Sequence, residues 1–489
     1  MINIKRAKEE LKNAIEAYLW KDAYGNYEIP VIRQRPILLI GPPGVGKTQI
    51  MEQVAKECKI GLVAYTITHH TRQSAVGLPR IEKRNYGEKE YPVTEYTMSE
   101  IVGAVYDKME VTGLKEGILF IDEINCVSET LAPTMLQFLQ AKTFGTHRIP
   151  AGWLIVAAGN PPEYNKSVRE FDVVTLDRIR RMDIVPDFSV WKEYAYQENM
   201  HPAVLAYLNI KPQNFCKIET TVDGRRFVTP RGWEDLSRLI LVYEKIGKKV
   251  DREVVVQYLQ YPEIAKDFAN YLLIYEKYQK DYQVEEILSG QIKETVYDKI
   301  SRAAFDERLS LTGLLLSRLG TVFGEVLMQE EVMGRLMKIL RGFRETEEED
   351  GARRVNSLTD QVNRDWEGLR KQEILSKKED LIYRRILKKL EAYQQVIYRQ
   401  ERKDADNVWE MLQEEFGKDS DAFEDGFSRA GRMLECGFDF MEAAFGDSQE
   451  MVIWITELNT NPSCVQFLRE YVCERYYEYN RKLMQNMSL

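Results

Sequence analysis

The run Gly41-Pro42-Pro43-Gly44-Val45-Gly46-Lys47-Thr48 restricts the possible folds of this chain more than any other segment. It matches GxxxxGK[ST], and its flanks are those the motif requires. Before it stands Pro36-Ile37-Leu38-Leu39-Ile40, a short apolar run that reads as a buried parallel strand. After it, Gln49 to Cys58 reads as a helix. A glycine loop between strand and helix lets successive backbone N–H groups curl around phosphate oxygens, and the helix directs its positive end at them. Lys47 supplies a point charge for the outer phosphates, and Thr48 offers a hydroxyl to Mg²⁺. Gly41 to Gln49 is therefore the expected nucleotide cradle.

Further apolar runs follow at intervals. Leu62 to Thr66 reads as a second strand, and Gly117-Ile118-Leu119-Phe120-Ile121 as a third that ends in Asp122-Glu123. In a doubly wound sheet, ligands sit at the carboxyl ends of the strands. Both acids are thus expected at the phosphates, Asp122 holding Mg²⁺ and Glu123 polarising the attacking water. A fourth run, Trp153 to Ala158, is followed by Gly159-Asn160-Pro161-Pro162, where Asn160 can orient that water. A fifth strand is expected over Met182 to Val185, after Leu176-Asp177-Arg178-Ile179-Arg180-Arg181. The alternation of strand and helix signals predicts an α/β fold, a P-loop parallel sheet with helices on both faces.

Taken in order, Gly41 to Thr48, Ile121 to Asn125, Asn160-Pro161 and Leu176-Asp177-Arg178 resemble the Walker A, Walker B, sensor 1 and arginine-finger segments of AAA+ ATPases. The forms Phe120-Ile121-Asp122-Glu123-Ile124-Asn125, Ala157 to Glu163 and Leu176-Asp177-Arg178-Ile179 are similar to the MoxR branch. Thr229-Pro230-Arg231-Gly232 resembles that branch's sensor 2 at the start of a lid helix, and the likeness covers residues 30–275. The resemblance implies ATP and Mg²⁺ as cofactors. It also implies a finger, Arg178, reaching the γ-phosphate held by a neighbouring subunit, with Arg180 and Arg181 as rivals. Arg231 would contact the nucleotide from its own lid. An arginine suits both places because its planar guanidinium stabilises charge on the transferred phosphoryl group.

The same resemblance implies a homo-oligomeric ring, usually a hexamer, in the bacterial cytoplasm. Its work would be the ATP-driven remodelling or activation of a partner protein, often one with a von Willebrand factor A domain. Two other classes stand beside it: a nucleic-acid-directed or defence motor of the McrB-like branch, and a nucleotide-gated scaffold. A net charge of −9 argues against nucleic acid as the main partner, and Glu123 argues against a scaffold that does not hydrolyse.

At 489 residues the chain is too long for one core. The expected division is a nucleotide-binding domain over 1–187, a helical lid over 188–282 and an all-α carboxyl-terminal domain over 283–489, which docks a partner or stabilises the ring. The 30% charged content fits a globular chain and leaves no membrane-spanning run of about 20 apolar residues. Ile4, Ala7, Leu11, Ala14, Ile15, Tyr18 and Leu19 recur at helical spacing, so the amino terminus reads as a helix and not as a signal peptide. Six scattered cysteines without a CxxC pair read as thiols. His69-His70 and the residues after it read as a polar loop in preference to a metal site, because neighbours in sequence point apart. Phe144 to Arg148 reads either as a pore-facing loop in which Phe144 grips substrate or as a plain turn.

Overall fold

The computed structural model describes residues 1–487 apart from 70–72, 74, 76, 145, 165–167, 169, 170, 223, 346–349 and 400–403. The chain forms two compact units, one of residues 1–187 with 365–380, the other of 188–364 with 381–489. His70, Thr71, Arg72, Ser74 and Val76 of the segment expected to be a polar loop lie outside the described residues.

Five parallel strands form the sheet of the first unit: β1 (Ile37–Ile40), β2 (Gly61–Thr66), β5 (Gly117–Asp122), β8 (Trp153–Gly159) and β9 (Arg180–Asp183). Their spatial order is β2-β5-β8-β1-β9. Strand side chains alternate between faces, and here each set meets its own helices. Ile37 and Leu39 join Ile118, Phe120, Leu154 and Val156 under α1 (Ile4–Leu19) and α2 (Lys47–Cys58). Leu38 and Ile40 join Leu119, Ile121 and Ile155 under the helices Glu100–Thr112 and Ala132–Ala141. Burial on both faces explains why these strands are unbroken apolar runs. The fold is the α/β parallel sheet with helices on both faces that the strand–helix alternation predicts, followed by a helical carboxyl-terminal region.

The amino-terminal helix forms as its periodicity predicts, with Ala7, Leu11, Ala14 and Ile15 buried and the Asn3 side chain capping Arg6 N. The fifth strand begins two residues earlier than expected, at Arg180. Phe144, in the short antiparallel pair β6 (Thr143–Phe144) and β7 (His147–Arg148), is buried and stacks on Phe138 with ring centroids 4.0 Å apart, so it belongs to the core and does not grip substrate. Two hairpins were not anticipated. One is β3 (Pro79–Tyr86) with β4 (Lys89–Tyr96), closed by a two-residue loop in which Gly87 has φ +68°. The other is β10 (Lys217–Thr221) with β11 (Gly224–Val228), inside the region expected to be wholly helical. Asp223-Gly224 between alternating residues was its sequence signal.

The second unit holds two apolar clusters. Trp191, Tyr207, Trp233 and Phe268 centre the first; Phe323, Leu434, Phe438 and Trp454 centre the second. The 37-residue helix Phe305–Arg341 feeds both, Leu314 into the first and Leu311, Leu315 and Leu319 into the second. The continuous helical stretch Phe305–Glu345 is long and apolar enough to cross a membrane by length and composition, which the count of consecutive apolar residues had not indicated. A buried ion pair ties the segments together: Lys192 Nζ stands 2.6 Å from Glu457 Oε1, and the Tyr196 hydroxyl donates to Glu457 Oε2 at 2.5 Å. Burial, and then the charge of Glu457, push the Tyr196 phenol well above its ordinary pKa.

Candidate nucleotide site

Lys47, Asp122, Glu123 and Asn160 all stand just past or at the carboxyl ends of parallel strands, whereas Arg178 precedes β9. Strand β1 runs into Gly41, and the glycine loop delivers the chain to α2 through Gly44 and Gly46, both at positive φ (+77° and +91°). Only glycine adopts such angles without cost. Gly46 is the N-cap of α2 and supplies no side chain to that end, so the cap position is open to an anion.

Lys47 is buried, and its ammonium donates to the carbonyls of Gly41 at 2.8 Å and Pro42 at 2.9 Å and to Asn160 Oδ1 at 3.0 Å. The Thr48 hydroxyl donates to Asp122 Oδ2 at 3.0 Å. The other oxygen of that carboxylate, Oδ1, accepts the backbone N–H of Glu123 at 2.9 Å. Strand order explains the meeting. The tips of β5, β8 and β1 lie side by side, so Asp122, Asn160 and Lys47 converge although up to 113 residues separate them.

Glu123 has left-handed backbone geometry, φ +57° and ψ +34°, an uncommon conformation for a residue other than glycine. Its Oε2 accepts a hydrogen bond from the Thr68 hydroxyl at 3.0 Å. The sequence reading assigned no role to Thr68. The signal was positional, since Thr68 follows β2 at the same edge of the sheet where the other groups gather. Asn125, buried two residues after Glu123, donates its amide to the Asn160 carbonyl at 2.8 Å.

The three arginines near β9 differ in their surroundings. Arg178 is exposed at the end of the short helix Val173–Arg178 and donates to Gln140 Oε1. Val173 and Val174 on the same helix are 81% and 58% exposed. Arg180 pairs with Glu10 of α1, and Arg181 with Asp183 at 2.8 Å. Arg231 belongs to the second unit, where it is exposed in the first turn of the helix Pro230–Lys245, whose Thr229 cap accepts the Gly232 N–H at 3.2 Å. Pro43, Val45 and Gln49 complete the loop and the first turn of α2.

These donors fit a nucleotide polyphosphate and its metal. A hydroxyl and a carboxylate within 3.0 Å of one another form a hard oxygen pair of the kind Mg²⁺ prefers, and Thr48 and Asp122 would hold the ion directly or through its waters. A bound Mg²⁺ would neutralise charge on the phosphate oxygens. Lys47, already seated at the loop carbonyls, would turn its ammonium to the outer phosphates. Among the described residues no group of three or more His, Cys, Asp and Glu forms a separate metal site.

No curated protein matches the chain. Residues 36–179 match the family model of the AAA domain (dynein-related subfamily). That stretch contains the glycine loop, Asp122-Glu123, Asn160 and Arg178, and with them the chain carries an AAA+ ATPase domain.

Proposed function

We propose that this chain is a MoxR-like AAA+ ATPase that hydrolyses ATP with Mg²⁺ at sites between subunits of a ring, usually of six, and uses the energy to remodel or activate a partner protein. The meeting of Lys47, Asn160, Thr48 and Asp122 at adjoining strand tips is the observation that carries the chemical part. In this reading Lys47 and the loop Gly41–Gln49 bind the phosphates, Asp122 and Thr48 hold the metal, Glu123 takes a proton from the attacking water, and Asn160 aligns that water. Arg178 completes the neighbour's site, and Arg231 contacts nucleotide from the lid. Arg178 follows the exposed Val173 and Val174 and donates to the neutral Gln140 amide, whereas Arg180 and Arg181 pair with the carboxylates of Glu10 and Asp183, which favours Arg178 as the finger. The partner, a protein with a von Willebrand factor A domain in the favoured reading, follows from the likeness to the MoxR branch, as does a cytoplasmic setting. The carboxyl-terminal helices would dock that partner or brace the ring.

The test is ATP hydrolysis by wild type and Arg178→Ala over a range of protein concentrations, with light scattering for size and with Glu123→Gln mixed in. Specific activity should rise with assembly. Arg178→Ala should bind ATP without turning it over, and Glu123→Gln should bind without hydrolysing. Activity per chain that is independent of concentration, with normal turnover by Arg178→Ala, would refute the ring mechanism.

A further inference from the structure

Asn125 joins the two strand tips that must cooperate on one water. It sits in the 3₁₀ turn Ile124–Cys126, directly after Glu123, and its side chain is only 5% exposed. The amide crosses to the end of β8, where Nδ2 donates to the Asn160 carbonyl at 2.8 Å. The same amide occupies the space above Gly159. A Cβ there would stand 2.4 Å from Asn125 Oδ1 and 2.7 Å from Cγ, so a residue with a side chain at 159 displaces the amide. Beyond this link, Asn160 uses its own side chain to accept from Lys47 at 3.0 Å. A continuous path therefore runs from the Glu123 turn through Asn125 to the Asn160 backbone, and from the Asn160 side chain to Lys47.

We propose that Asn125 is a positioning residue for ATP hydrolysis: its amide sets the separation between Glu123 and the Asn160 side chain by holding the Asn160 carbonyl over a glycine that leaves room for it. The inference rests on the ATPase reading of this site. In this role Asn125 acts through Asn160 and the Glu123 turn, not on the reacting atoms. The backbone of Glu123, at φ +57°, and that of Asn160 are each one bond from a catalytic side chain, and the β5–β8 ladder ends at Ile121 and Ala157, two residues before Glu123 and three before Asn160, so the Asn125 amide carries the register on to the tips. A displacement near 1 Å at a reacting group is enough to lower a rate by about a hundredfold. Nucleotide affinity depends on the glycine loop, Lys47 and Thr48, and Lys47 keeps the Gly41 and Pro42 carbonyls as partners even when Asn160 shifts. The effect therefore falls on kcat and spares binding.

The experiment compares Asn125→Asp, Asn125→Ala, Gly159→Ala and the double variant Asn125→Ala/Gly159→Ala in the full-length chain. The readouts are kcat and KM for ATP, binding of a fluorescent ATP analogue, and thermal unfolding. Asn125→Asp keeps the shape and loses the donor. About a 10- to 100-fold fall in kcat is expected for it and for Asn125→Ala, with analogue affinity within about threefold of wild type. Gly159→Ala should lower kcat alone yet add no further loss in the Asn125→Ala background, because removing the amide frees the space the new methyl needs. Asn125→Asp should also recover part of its kcat, relative to wild type, as pH falls and its carboxyl regains a proton to donate. Wild-type kcat in Asn125→Ala overturns the inference. So does a loss of analogue affinity parallel to the loss of kcat, or Gly159→Ala costing the same factor in both backgrounds. Glu123→Gln and Asn160→Ala serve as controls: if they too turn over normally, the ATPase reading of the site itself fails and not merely the role of Asn125.

Discussion

Glu457→Gln tests whether the helix after the AAA+ core and the carboxyl-terminal helices form one cooperative unit. Lys192 lies in the helix Phe188–Gln197 and Glu457 in the helix Gln449–Thr460, 265 residues apart, and their side chains are 10% and 8% exposed. The glutamine keeps an acceptor for the Tyr196 hydroxyl and for the lysine but removes the charge that balances Lys192. Breaking one side of a buried pair leaves an uncompensated ion and costs about 3–5 kcal/mol. At a urea m-value of about 3 kcal/mol/M, that lowers the unfolding midpoint by about 1 M or more. Lys192→Met should cost a comparable amount by stranding the carboxylate. The double variant Lys192→Met/Glu457→Gln leaves no buried charge, so it should be more stable than the sum of the single losses predicts, by about 2 kcal/mol or more. The assay is urea unfolding of the four proteins followed by helical circular dichroism. Single variants that each move the midpoint by less than about 0.3 M, with additive effects in the double, would refute the claim that this pair joins the two segments.

Two other outcomes follow from individual contacts. Thr68→Val removes the hydroxyl that donates to Glu123 Oε2, which frees that carboxylate to turn to the attacking water. Basal ATP turnover should rise about fivefold, the equivalent of one hydrogen bond of about 1 kcal/mol; an unchanged or lower steady-state rate would show that the contact does not restrain Glu123. Lys142 is buried with its ammonium donating to the Val31 carbonyl at 2.9 Å, and burial pushes its pKa down to about 8. The unfolded chain then binds the extra proton between about pH 8 and 10.5, so this lysine's contribution to stability rises with pH across that window and is lost as pH falls through 8. Wild-type stability minus that of Lys142→Met should grow by about 2 kcal/mol from pH 7.5 to 10 in urea titrations, and a difference that stays flat would contradict it.

Local chemistry was legible without coordinates wherever neighbours in sequence are also neighbours in space. The glycine loop, the strand before it and the helix after it are consecutive, so Gly41 to Thr48 declares a phosphate cradle by itself. The apolar runs of β1, β5 and β8 announce strands covered on both faces for the same reason, since each residue's burial is written in its own side chain. The hairpin β10–β11 was readable from Asp223-Gly224 and was passed over in a region whose tyrosines and leucines suggested helix throughout.

Only the tertiary structure could decide which distant residues meet. Thr68 reaches Glu123 across 55 positions because β2 lies beside β5, and Asn125 reaches Asn160 across 35 because β5 lies beside β8. A hydroxyl or an amide in a sequence carries no mark of its acceptor; strand order supplies it. Phe144 could stand in a pore or a core on its sequence alone, and its stacking on Phe138 settles that it is core. The pairing of Lys192 with Glu457 was equally hidden, since a lysine and a glutamate in a charged chain read as surface until folding buries them together. The sequence thus determined the reactive groups and the class of fold, because both follow from short-range order. The geometry that aligns those groups is a property of the order of the strands and the packing of helices far apart in the chain.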